Sequence, residues 1–149
     1  MDATRLSVGA ALVLGALMTA GVVWFAWPSG PSGRQMVALH QQSDVDGWVV
    51  EPSIERLHST WSEHVGQRML PVPAQSTLEG GAVIGGQPVW LYTRWQGPQG
   101  RVSVFATAME HDRQPQWSCK PMAQRVELCQ RTHQGWHVAM VRDQLAQTE

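Results

Sequence analysis

The sequence has little of what enzymes and nucleic-acid binders need. It holds two cysteines, one tyrosine and two phenylalanines in 149 residues, and charged residues make up 15% of it with a formal net charge of −1. A near-neutral chain with a pI near 6.6 has no electrostatic hold on a polyanion, which excludes nucleic acid as a partner. There is no G-x-S-x-G elbow and no cysteine set for nucleophilic attack, so hydrolase chemistry lacks its starting group. Glu79-Gly80-Gly81 and Gly85-Gly86 lack the lysine and the strand-to-helix setting of a phosphate loop and read as turns. Asp44-Val45-Asp46-Gly47 begins like a calcium loop but lacks the later acidic ligands. The six histidines are badly spaced for a metal: His58 and His64 would fall on different faces of a helix, His133 and His137 straddle a turn, and His40 and His111 stand alone. The expectation is a non-enzyme with no cofactor, no metal and no small-molecule substrate.

Charge is missing altogether from Leu6 to Trp27, and at 1.5 Å per residue such a run spans a hydrocarbon core of roughly 30 Å. Trp24 and Trp27 close it as interfacial tryptophans do, and Pro28 follows at once. A cleaved secretory signal is the competing reading, but the run exceeds the usual apolar region and Met18 stands where a cleavage site wants a small residue. The sequence thus predicts a cytoplasmic tail at 1–5, a transmembrane helix at 6–27, a linker at 28–35 and an extracytoplasmic domain at 36–149 of a single-pass protein in the bacterial inner membrane. Ser7, Ala11, Gly15 and Thr19 recur every four residues and would lay a ridge of small side chains on that helix, where a second membrane helix can approach. Membrane helices are rich in small residues in any case.

Beyond the linker, Ser53 can cap a helix in which Ile54, Leu57, Trp61 and Val65 form an apolar stripe about four turns long. Period-two alternation then marks strands. In the segment 88–95, Val89, Leu91, Thr93 and Trp95 alternate with Trp90, Tyr92 and Arg94, and in 101–109 Val102, Val104, Ala106 and Ala108 share a face. A polar loop leads to two more strands, 125–132 and 135–141, joined by a turn at His133–Gly135. The expected class is α+β: an antiparallel meander of about four strands covered by one amphipathic helix. Cys119 in the loop and Cys129 in the following strand can close a disulfide in an oxidising compartment, stabilising by about 2–3 kcal/mol; two unpaired buried thiols are the alternative.

The stretch from Gly85 onward resembles the extracytoplasmic domain of bacterial single-pass anti-sigma factors. The resemblance is carried by Gly85, Gly86, Pro88, Val89 and Tyr92, by Val102, Val104 and Phe105, and by Gly135, Trp136, Val138, Ala139 and Val141. It implies a shared strand-and-turn framework. The cytoplasmic domain with which those regulators grip a sigma factor has no counterpart in a tail of five residues.

Eight tryptophans are many for this length, and tryptophan is enriched both in cores and at interface hot spots. Trp48, Trp90 and Trp117 are the candidates for a protein interface. The expected function is an accessory subunit that docks on integral membrane protein subunits within the lipid bilayer, as in a respiratory or photosynthetic complex, and braces its neighbours with the outer domain. A regulatory or sensory protein is the alternative.

Overall fold

A computed structural model describes residues 30–109 and 114–144. Its elements in chain order are helix α1 (Gly33–Gln41), helices α2 (Ile54–Thr60) and α3 (Ser62–Val65), strands β1 (Thr77–Ile84), β2 (Trp90–Gly97), β3 (Gly100–Ala108) and β4 (Ser118–Met122), a 3₁₀ turn (Ala123–Arg125), and strands β5 (Val126–His133) and β6 (Trp136–Asp143). All six strands join one antiparallel sheet in the order β1-β2-β3-β6-β5-β4. Two three-stranded meanders are therefore placed side by side. The chain leaves β3, crosses to the far edge, and returns through β4 and β5 so that β6 pairs with β3.

This architecture corrects the expected fold class. The sheet has six strands where four were expected, and short helices replace the long one. Among the described residues no helix is long and apolar enough to cross a membrane, so the single-pass arrangement and the inner-membrane localisation expected from the sequence are withdrawn. The segment 6–27 on which they rested, with Ser7, Ala11, Gly15, Thr19, Trp24 and Trp27, lies outside the described residues.

Alternation along each central strand feeds two cores, one on each face of the sheet. Leu57, Trp61 and Val65 from α2 and α3 pack with Leu70 over Leu91, Trp95, Val104, Trp136 and Val138. Met36 and Val37 from α1 pack over Trp90, Tyr92, Phe105, Ala139 and Val141. A sheet buried on both sides explains why the first six residues of β2, Trp90 to Trp95, are all buried. Tyr92 and Phe105 are directly paired across β2 and β3, and their rings stack with centroids 4.6 Å apart.

Local chemistry sets the ends of the elements. Ser32 caps α1 in a reciprocal capping box with Gln35, starting the helix within the expected linker. The stripe Leu57-Trp61-Val65 is buried as one face, but the backbone at Trp61 leaves helical geometry (φ −101°, ψ 19°) and divides the helix in two. β1 carries Gly80 and Gly81 because other groups occupy the space of their side chains. A Cβ at Gly80 would lie 2.5 Å from the Val49 carbonyl oxygen, and one at Gly81 would lie 2.5 Å from the Trp61 ring. The Val49–Gly81 bridge then covers part of this edge through two hydrogen bonds of 2.8 and 2.9 Å. At the other edge, Pro121 lacks an N–H and is a poor template for an added strand.

Candidate functional site

Two places gather polar side chains, and exposure separates them. The first lies beneath α1. His40 is 2% exposed, its Nδ1 is 2.7 Å from Ser103 Oγ and its Nε2 is 2.8 Å from Asp143 Oδ1. A carboxylate only accepts, so Nε2 carries the proton and Ser103 donates its hydroxyl hydrogen to Nδ1. Tyr92 Oη stands 3.1 Å from Ser103 Oγ and accepts from Arg94 Nε at 2.9 Å. Serine, histidine and aspartate have the contacts of a hydrolytic triad, with the imidazole nitrogens exchanged. Ser103, however, is 0% exposed, so no acyl group can reach its oxygen. The cluster fastens a helix.

The rest of the network shows how it does so. Arg94 Nη2 donates to the carbonyls of Leu39 (3.0 Å) and Gln42 (2.7 Å), and Arg101 Nη1 donates to that of His40 (3.2 Å). These carbonyls close the C-terminal end of α1, where backbone donors run short and the negative end of the helix dipole lies. Arg94 itself is buried between the rings of Trp48 and Tyr92, 4.9 and 5.6 Å from their centroids, where aromatic faces and carbonyl oxygens replace water around the cation.

Burial and the nearby cations Arg101 and Arg94 hold the His40 imidazole below its ordinary value of 6.5, against the opposing pull of Asp143. Burial lowers His137 likewise. With both folded values below the unfolded one, the unfolded chain binds more protons as pH falls below about 6.5. The stabilisation is complete above that value and declines as pH drops toward the folded values. The urea midpoint is therefore expected to fall between pH 7.5 and 5.5, above the carboxylate range, and the fall is expected to shrink in His137→Gln. An unchanged midpoint would show that neither imidazole is shielded as described.

The second place is open. After α3 the chain runs as a strap, Met69 to Ser76, whose Pro71 and Pro73 suit neither helix nor inner strand. His58 Nε2 donates to the Arg68 carbonyl (2.9 Å) and Trp136 Nε1 to the Met69 carbonyl (2.9 Å), pinning the start of the strap. Opposite it stands Trp117, placed by the pairing of Gln114 with Thr132 through bonds of 2.7 and 2.9 Å and supported by the Arg131 guanidinium 4.8 Å from its ring centroid. Between them lie two cavities of about 420 and 330 Å³ that share Pro73, Trp117 and Met140 and so form one groove. The β6 row Trp136, Val138, Met140 and Arg142 runs beneath it, the first two buried in the core. Cys119 and Cys129, partners in register on β4 and β5, are joined by a disulfide that forms part of the wall.

The sequence candidates separate accordingly. Trp90 is 5% exposed and Trp48 is half-buried, both on the α1 side of the sheet, while Trp117 is 42% exposed at the groove. The structure does not bring the three together. Among the described residues, Cys119, Glu127 and Cys129 form the one three-group cluster with metal-ligand spacing, but the disulfide leaves it no thiolate. The strap and Arg131 were missed from sequence; the spaced prolines of Pro71-Val72-Pro73 were the available signal. Comparison of the chain with protein-family models, curated proteins and solved structures finds no match.

Proposed function

We propose that this protein is a non-catalytic binding subunit that braces a partner protein through the groove at Trp117. One observation carries the reading. Among the described residues the exposed large apolar side chains are Val49, Val50, Met69, Val72 and Trp117, and the last three, at 80%, 55% and 42%, line the same groove. Scattered exposed apolar residues need no explanation, but a contiguous set beside a concave floor marks an interaction site. The groove's hydroxyl, Ser76 Oγ, donates to the Ala74 carbonyl. The likeness to anti-sigma outer domains rests on turn and core residues such as Gly86, Tyr92, Phe105 and Trp136, and these support a kind of sheet without supplying a sigma-facing surface.

The test is gentle extraction of the tagged chain from its native source, native-gel separation and mass spectrometry, performed alongside Trp117→Ala and Val72→Glu. We expect a partner in fixed ratio with the unaltered chain, lost about tenfold or more in variants that keep the parental urea midpoint. Migration of the chain alone, or undiminished partner in both variants, would remove the proposal.

A further inference from the structure

Three sulfurs stand in one row across the sheet. Cys119 of β4 pairs in register with Cys129 of β5, and Cys129 pairs in register with Met140 of β6. Directly opposed residues of adjacent strands present their side chains on the same face, and here all three line the larger cavity of the groove. Cys119 is exposed, Met140 is half-buried and Cys129 is buried. The Cα atoms of the two cysteines are 4.0 Å apart, and their Sγ atoms lie within 4.8 Å of a Glu127 carboxylate oxygen.

Reduction turns this row into a set of metal ligands. A thiolate of a dithiol reductant attacks the exposed Cys119 Sγ, and Cys129 Sγ leaves as a thiolate. The reductant's second thiol then displaces Cys119 Sγ as the reductant closes its own disulfide. Two electrons and two protons pass to the protein, which is left with two thiols beside the Met140 thioether. The pairs Ser118–Gln130 and Lys120–Leu128 flank the bond in the β4–β5 ladder, so the two sulfurs remain opposed once it opens.

The ligand types choose the ion. Thiolate and thioether sulfurs are soft and select Cu(I), whereas a structural Zn²⁺ site asks for a closed set of four ligands. Glu127, the remaining member of the cluster, is a hard carboxylate whose Oε2 is already held by Arg142 at 2.7 and 2.8 Å. We infer that the reduced protein holds one Cu(I) ion between Cys119, Cys129 and Met140, and that the disulfide form does not. The ion displaces the two thiol protons and stays Cu(I), so no electron moves in the binding step.

The full chain, reduced with a dithiol that is then removed anaerobically, is titrated with Cu(I) carried by bicinchoninate, whose Cu(I) complex is coloured. The reduced chain is expected to withdraw one equivalent and the disulfide form none. X-ray absorption at the copper edge is expected to show sulfur neighbours alone. Met140→Leu keeps the volume of the side chain and both thiols. It is expected to weaken Cu(I) binding by about tenfold or more, the loss that even an outer partner of a metal site produces. Cys119→Ser is expected to withdraw none. The inference is overturned by a reduced chain that takes no Cu(I) or loses its native near-ultraviolet circular dichroism, or by equal uptake in the disulfide form. Nitrogen or oxygen neighbours at the copper, or undiminished affinity in either variant, would overturn it equally.

Discussion

Replacing Arg94 with methionine is expected to destabilise the fold by about 3 kcal/mol, because it takes a charged donor from the buried Tyr92 hydroxyl and from two carbonyls at the end of α1. The methionine fills the slot between Trp48 and Tyr92 but offers no donor to the Leu39 and Gln42 carbonyls or to Tyr92 Oη. The loss stays below the sum of the separate bonds, since a buried guanidinium has itself given up hydration. Arg94→Lys is expected to recover less than half, because one ammonium cannot reach the carbonyls and the phenol with the spread of a fork. Urea denaturation of the three proteins measures both effects. A loss under 1 kcal/mol for methionine would mean that α1 is held without Arg94, by Met36, Val37 and the contacts of His40.

The other large effect is expected at Trp136. At 2% exposure it fills the core beneath α2 and α3, and Trp136→Ala should cost about 4 kcal/mol through lost transfer energy and the cavity left behind. Trp136→Phe keeps most of the ring but loses the bond to the Met69 carbonyl and leaves a smaller void, for about 2 kcal/mol. The consequence for function differs from the consequence for stability. The strap loses one of its two pins in either variant, so amide exchange at Leu70 and Val72 should accelerate even in Trp136→Phe, and partner affinity should fall with it. Unchanged exchange there would show that the groove wall does not depend on this bond.

Where side chains alternate, the fold was legible. The opposite orientation of Trp90, Tyr92 and Arg94 relative to Leu91, Thr93 and Trp95 follows directly from a two-residue period, and it sends the two sets into different cores. β1 was hidden by Gly80 and Gly81, which look like a turn until Trp48, Val49 and Trp61 are seen in the space their side chains would fill. β4 was hidden because an exposed edge strand with Pro121 and little apolar content carries no alternation. A glycine and a nearby proline disguised the first turn of α1 as linker. The site was less legible than the fold. Residue type cannot separate Trp90 in the core from Trp117 at the surface, because both are tryptophans near strands. Nor can any local motif announce the contacts of His40 with Ser103 and Asp143, which are 63 and 103 positions away in the chain.

The central claim is that a partner protein seats in the groove between the strap and Trp117. A photo-crosslinking amino acid placed at Val72, with a control at exposed Glu55 on α2, tests it most directly in the native source. We expect one adduct of defined mass from position 72, absent from position 55 and abolished when Trp117→Ala is added. Equal adducts from both positions, or an adduct at 72 that survives Trp117→Ala, would contradict it.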